Sequence, residues 1–305
     1  MRLKNKRILV TGGAGFIGSH TVDALIKTGA KVSVIDDFST GSFSNANFKA
    51  ECYQQNIFSD GLDEIIEKEN PQIVYHFAFN VNVPQSIESP LINMPALVGS
   101  ILMLKKLKEM GTIEKIVFAS SGFIYGNTSE LPAKETALIQ PLSPYAIAKY
   151  AVEQYLEFYR MTFGLPYVVL RYAAVYGPRQ VMGAIPDYIR KLSNGQQAEM
   201  WGDGNKTRDY VYIEDVVKAN IMALNVPNTH SNPIFNVGTG IETTLNEVYG
   251  KIAELLGKEA KPIYNQERKG EQLRYKLDSG KIKKNIGWKP KISLNKGLKK
   301  LISNL

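Results

Sequence analysis

One cysteine, Cys52, and three widely spaced histidines, His20, His76 and His230, are all the thiol and imidazole that 305 residues contain. A single thiol excludes an internal disulfide framework and any multi-cysteine zinc or iron–sulfur site. Three scattered imidazoles give no histidine-built metal centre, so no metal is expected. Long apolar stretches are also scarce, and no run approaches the roughly 18–20 residues that a bilayer crossing takes. The basic start over 1–7 leads into only Ile8, Leu9 and Val10 before a glycine-rich turn, too short for the core of a secretion signal. The expectation is a cytoplasmic protein that meets no membrane. What remains is ordinary globular composition, 44% hydrophobic and 22% charged, which excludes a disordered or fibrous chain. The length suits two modest domains.

The formal charge of +8 is unevenly placed. Residues 251–305 hold 15 Lys and Arg against 5 Asp and Glu, whereas 1–250 hold 22 against 24. A basic final fifth suits a small phosphorylated anion or a solvated lysine-rich surface. No helix-turn-helix or RNA-binding signature accompanies it, so no nucleic-acid partner is expected.

Up to Arg171 the chain alternates buried-type strands and helices. Strands are predicted at 7–10, 31–35, 51–54, 72–77, 115–119 and 167–171, with helices at 16–28, 62–69, 96–110 and 145–163 between them. Helical crossovers of this length imply βαβ units, hence an α/β fold with a doubly wound, Rossmann-type parallel sheet. The division expected is a dinucleotide-binding domain over 1–175 and a smaller mixed α/β substrate lobe over 176–305, with segments around 208–240 returning to the first. In that lobe helices are predicted at 185–193, 214–224, 244–256 and 294–302, and short strands near Met200, Val211, Phe235 and Ile263.

Between the first strand and its helix runs Thr11-Gly12-Gly13-Ala14-Gly15-Phe16-Ile17-Gly18. Glycines at 12, 15 and 18 permit a tight turn, close backbone approach to a pyrophosphate and close helix–strand packing, with the helix N-terminus facing the phosphates. Asp36 ends the second strand 18 residues after Gly18. A carboxylate there accepts hydrogen bonds from a ribose diol and repels a 2′-phosphate, which favours NAD over NADP, and Asp37 brings no compensating arginine.

Ser143-Pro144-Tyr145-Ala146-Ile147-Ala148-Lys149 opens the long helix, and Tyr145 and Lys149 share one face at i and i+4. A nearby ammonium favours phenolate and brings a phenol from near pH 10 toward working pH. Ser120 and Ser121 follow the fifth strand at the carboxyl edge of the sheet, where ligands of such folds bind. A hydroxyl there can hydrogen-bond a substrate hydroxyl and help move its proton.

Together these residues resemble the extended short-chain dehydrogenase/reductase family, and within it the NAD-dependent sugar-nucleotide epimerase/dehydratase group. Further markers are His76-Phe77-Ala78, Tyr125-Gly126, Arg171-Tyr172, Val175-Tyr176-Gly177-Pro178, the run 202–210, Phe235 to Gly238 and Gly287-Trp288, covering nearly the whole chain. The resemblance implies a tightly held NAD gripped by Gly12, Gly15, Phe16, Ile17, Gly18, Asp36, Asp37, Phe38, Thr40, Gly41, Asn56, Ile57, Phe77, Ala78, Ala119, Tyr145, Lys149 and Tyr172. It assigns catalysis to Ser121, Tyr145 and Lys149. The 4,6-dehydratases of the group carry an Asp-Glu pair after the catalytic hydroxyl residue, where this chain has Gly122 and Phe123. The closest likeness is to the members that interconvert UDP-galactose and UDP-glucose. It implies that Tyr145 takes the 4-hydroxyl proton as hydride passes from C4 to NAD, and that the 4-keto sugar turns and is reduced on its other face.

The same likeness implies UDP-sugar contacts at Ser121, Tyr145, Ala174, Trp201, Arg208, Arg268, Glu271 and Tyr275. Arg208 and Arg268 would hold the diphosphate, Glu271 the ribose, and Trp201 the uracil, while Tyr275 would crowd out an N-acetyl group. A homodimer pairing the helices at 96–110 and 145–163 is also implied. Three positions depart from the group: Ala96 and Ala174 stand where asparagines are usual, and Asn56 where an aspartate often reads the adenine amine. Other outcomes consistent with the residues are a nucleotide-sugar reductase or oxidoreductase that releases product after one hydride transfer, and a non-catalytic protein that binds NAD or nucleotide sugar.

Overall fold

A computed structural model describes residues 3–268 and 270–303. The chain begins β1 (Arg7–Thr11), α1 (Phe16–Lys27), β2 (Lys31–Asp36), β3 (Glu51–Gln54), α2 (Leu62–Glu69), β4 (Ile73–His76), α3 (Val83–Glu88), α4 (Met94–Met110) and β5 (Lys115–Ser121). It continues with α5 (Pro144–Phe163), β6 (Tyr167–Tyr172), β7 (Ala174–Tyr176), α6 (Ala184–Ser193), β8 (Glu199–Trp201), β9 (Thr207–Arg208) and β10 (Tyr210–Tyr212). The remainder is α7 (Ile213–Ala223), β11 (Ile234–Val237), β12 (Thr243–Thr244), α8 (Leu245–Leu256), β13 (Ile263–Asn265), α9 (Gly280–Ile286) and α10 (Leu294–Ile302).

Seven strands form one parallel sheet in the order β11-β6-β5-β4-β1-β2-β3. The order reverses between β1 and β4, so a crevice opens beyond their carboxyl ends. Successive side chains of a strand face opposite sides of the sheet. Leu9, Ile35, Val74, Ile116, Phe118 and Val169 accordingly build one buried cluster, and Val10, Val34, Tyr75, Val117, Val168 and Leu170 build the other. The second cluster runs on into the carboxyl-terminal third through Phe235, Tyr249, Trp288 and Leu298.

Helix ends follow local chemistry. Ser143 caps α5 through its hydroxyl, Pro144 occupies the first turn, and Gly164 closes the helix at φ 70°. Thr244 and Glu247 form a reciprocal capping box on α8.

Sequence periodicity missed α3, α9, β7, β9 and β12. Each is short, and α3 and α9 begin where proline or glycine reads as a loop. β11 does return to the main sheet, beside β6. One expectation is corrected: Pro90–Met110 is long and apolar enough by length and composition to cross a bilayer. Packing accounts for part of that apolarity, since Gly99, Ser100, Met103, Leu104 and Leu107 of α4 are buried and the helix lies against α5 and α2, whereas Leu91, Met94 and Leu102 stay exposed.

Candidate active site

The turn between β1 and α1 is shaped by close approach. Gly12 has φ +70°, and a Cβ there would stand 2.6 Å from the Ala78 nitrogen. A Cβ on Gly18 would fall 2.0 Å from the Gly12 carbonyl oxygen. Gly15 precedes the 12-residue α1 with no side-chain cap, which leaves the first backbone N–H groups for an anion. Asp36 is buried beside this turn, its Oδ2 accepting from Ala14 N at 2.8 Å and its Oδ1 from Phe38 N at 2.9 Å. Burial raises its pKa, with those N–H groups opposing the shift.

A cleft of ≈ 320 Å³ extends from this turn across the sheet's carboxyl edge. Of the residues expected to hold cofactor, Gly12, Gly15, Phe16, Ile17, Gly18, Asp36, Asp37, Thr40, Asn56, Ile57, Phe77, Ala78, Ala119, Tyr145, Lys149 and Tyr172 line it. Phe38 and Gly41 do not. Phe38 instead stacks on Phe43 with centroids 3.8 Å apart, and Gly41 presses against Asp36 and Ala14. Asn56 donates to Asp37 at 2.7 Å and its oxygen already accepts from Phe58 N, so the adenine contact expected of that oxygen would have to be shared. The sequence reading overlooked Phe79, Asn80, Ile92 and Pro95 along the wall, and gave Ser120, which also lines it, no cofactor role. The position of residues 79 and 80 just past β4 at the switch point was the available signal. Ala96 also lines the cleft, and behind it Ala96 O, Ser100, His76 and Thr11 form a hydrogen-bonded row. Complete burial lowers the His76 pKa to about 3, so its imidazole is neutral. Bare N–H groups, a cradle that any Cβ would fill and a carboxylate at the end of β2 fit a dinucleotide pyrophosphate and ribose.

At the other end of the cleft the catalytic candidates converge. Ser121, Tyr145 and Lys149 are all buried; Tyr145 and Lys149 line the cleft, while Ser121 lies outside its lining, its hydroxyl accepting from Phe123 N at 3.2 Å. Lys149 Nζ donates to Ala119 O at 2.7 Å and sits 4.0 Å from the Phe79 ring centroid. Burial raises the Tyr145 pKa to about 12, with the Ser121 side chain opposing. Burial likewise lowers that of Lys149 to about 7, with Glu153 opposing. The expected lysine-assisted phenolate is therefore corrected. In the protein by itself desolvation outweighs the ammonium, which is directed at a carbonyl and two ring faces. A phenolate at Tyr145 needs further positive charge in the cleft.

A second cavity adjoins, lined by Val83, Pro84, Phe123, Leu142, Ser143, Arg208, Gly270, Glu271 and Gln272. Arg208 donates to the main-chain carbonyls of Thr207 and Gln272 at 2.7 and 2.9 Å, which fixes its fork. Glu271 pairs with the buried Lys206 at 2.7 Å. The remaining substrate candidates lie outside this lining. The Arg268 guanidinium covers a face of Trp201 at 3.8 Å, so the surface expected to take a base already carries a cation. Tyr275 is buried beneath, stacked on Phe123 and donating to Tyr172 O at 2.7 Å. Ala174 pairs in register with Tyr210, whose buried hydroxyl has no protein partner among the described residues.

A glycine-turn dinucleotide cleft meeting a Ser–Tyr–Lys cluster on a parallel sheet defines a nicotinamide-dependent short-chain-type enzyme. The family model "NAD dependent epimerase/dehydratase" matches residues 8–238; the chain belongs to that family, and its cofactor is NAD. A putative UDP-glucose 4-epimerase of Methanocaldococcus jannaschii is 43% identical over 302 residues, with 97% of each chain covered. The structure of the Thermotoga maritima UDP-glucose 4-epimerase with UDP-glucose is 40% identical, with TM-score 0.92 and 97% of each chain covered. A UDP-N-acetylglucosamine 4-epimerase from Methanobrevibacter ruminantium, in complex with UDP-N-acetylmuramic acid, is 33% identical, with TM-score 0.89 and coverage of 99% and 100%.

Proposed function

We propose that this protein is a UDP-hexose 4-epimerase that interconverts UDP-galactose and UDP-glucose through a 4-keto sugar. The carrying observation is the placement of Ser121 and Tyr145, both buried, where the dinucleotide cleft meets the adjoining cavity. Tyr145 lines the dinucleotide cleft, while Phe123 and Ser143, each two residues from that pair, line the adjoining cavity with Arg208. When bound, NAD supplies the hydride acceptor and donor for sugar carbon 4. The Tyr145 phenolic oxygen takes the proton from the 4-hydroxyl and returns it, while Ser121 Oγ holds that hydroxyl in line. Arg208 provides a fixed guanidinium for the diphosphate, which tethers the sugar while it turns. Water elimination would need an acid after Ser121. Position 122 has no room for one, since a Cβ there would lie 2.2 Å from the Tyr275 hydroxyl.

The test is incubation of purified protein with UDP-galactose and no added NAD, with UDP-glucose followed by NMR. Product that is lost in Tyr145→Phe supports the reading; no product even with NAD supplied overturns it. Tyr275 lies under Phe123 rather than in the cavity lining, which favours a second reading in which UDP-N-acetylhexoses are also accepted. The same assay with UDP-N-acetylglucosamine decides that.

A homodimer belongs to this proposal. α4 and α5 pack side by side and leave Leu102, Ile147, Tyr155 and Phe158 exposed, an apolar face suited to a second copy. Sedimentation as a monomer at micromolar concentration would contradict it.

A further inference from the structure

Gln272 is only 2% exposed, yet it lines the cavity beside Arg208 and Ser143. Its amide nitrogen donates to the main-chain carbonyl of Gly126. A carbonyl only accepts, so this contact fixes which way the carboxamide points and turns Oε1 away from Gly126. On the other side its main-chain oxygen takes the Arg208 bond at 2.9 Å. The residue is thus held through both its side chain and its main chain, while Oε1 has no hydrogen-bond partner among the described residues. A buried acceptor left bare is costly, and a native fold keeps one where a ligand or ordered water completes it.

Its position says which donor. Gly126 closes the short helical turn Gly122–Tyr125 that Ser121 caps, and Ser143 caps α5 immediately before Tyr145. Gln272 therefore borders the catalytic end of the cavity, where the hexose of a UDP-sugar lies if the proposed reaction holds. Ionised phosphates carry no donor; a sugar hydroxyl does. We propose that Gln272 is a specificity-determining residue, whose Oε1 accepts a hydrogen bond from a non-reacting hydroxyl of the hexose. The inference rests on the epimerase reading above.

The experiment compares wild type with Gln272→Met, using UDP-galactose, free UDP, and UDP-glucose analogues with fluorine replacing the 2-, 3- or 6-hydroxyl. Loss of one neutral hydrogen bond is expected to raise KM for UDP-galactose about 3- to 10-fold with little change in kcat, and to leave UDP affinity unchanged. One analogue should already show that loss in wild type and lose nothing more in the variant. Equal weakening of UDP and UDP-galactose, or additive losses for all three analogues, would overturn the proposal. So would an ordered water on Oε1 in a crystal with bound UDP-hexose. Should Gln272→Met not fold, Gln272→Glu keeps an acceptor oxygen and is expected to retain the coupling to that one analogue; uniform loss counts against the proposal. Wild type inert on every UDP-hexose removes the epimerase reading itself, a result distinct from an active wild type without coupling.

Discussion

Glu153 meets Arg171 at 2.7 Å with the two side chains 0% and 4% exposed, and this ion pair joins the helix that carries Tyr145 and Lys149 to the strand beside it. Ser120 and Tyr125 bond to the same pair, and Tyr125 passes the connection to Asn236 on the returning strand β11. The pair therefore sets the floor of the catalytic cluster. Glu153→Gln leaves a buried guanidinium without its counter-charge, and removing one partner of such a pair costs about 3–5 kcal/mol. Denaturant unfolding is expected to read that loss, together with reduced activity. A variant as stable as wild type would show that the pair holds nothing in place.

Tyr145→Phe removes one oxygen from a buried site and leaves the glycine turn untouched. Turnover is expected to fall by about 10²–10⁴-fold, the range for a positioned acid–base group. Bound NAD and thermal stability should stay near wild-type values, as measured by cofactor absorbance after denaturation and by calorimetry.

The depressed pKa of Lys149, about 7 against an ordinary 10.5, makes a signed prediction for the chain stripped of cofactor. Between those values the unfolded chain binds a proton that the folded chain does not, so this group's contribution to stability rises with pH and is lost as pH falls toward 7. Lys149→Met escapes the cost of burying a charge. The variant's Tm relative to wild type is expected to be highest near pH 7 and to decline toward pH 10. A difference independent of pH would mean that Lys149 keeps its charge when buried.

Lys206 is buried between Glu271 at 2.7 Å and Glu267 at 3.3 Å. Lys206→Met frees two carboxylates, one of them Glu271 on the cavity wall where Arg208 is placed to receive an anionic diphosphate. UDP affinity is expected to fall by about tenfold and to recover partly at high salt, which screens the added repulsion. Titration calorimetry at two ionic strengths reads both effects.

Gly18→Ala tests the dinucleotide turn, since its new methyl would stand 2.0 Å from the Gly12 carbonyl oxygen. Overpacking of this kind costs about 1–3 kcal/mol, and the purified variant is expected to carry little or no NAD. Retention of a full complement would remove that turn from the cofactor site.

Much of the site was legible because its chemistry is local. The glycine spacing over 12–18, the i and i+4 placement of Tyr145 and Lys149, and the strand-end position of Asp36 each need only the geometry of one turn or one helix. Phe38 and Gly41, also expected at the cofactor, lie outside the cleft lining. Their directions depend on Phe43, Asp36 and Ala14, which meet them only in the folded loop. Trp201, expected to pack on uracil, has one face covered by Arg268, which lies distant along the chain.

By itself the sequence determined the alternation of strand and helix, hence the parallel sheet and its crevice, because hydrophobic period and helix-end signals act over a few residues. Folding decided what depends on burial and on partners far apart in the chain. Examples are the opposite pKa shifts of Tyr145 and Lys149, the Lys206–Glu271 pair and the bare oxygen of Gln272. Desolvation and pairing are properties of the packed interior, and no local pattern encodes which side chains will share it.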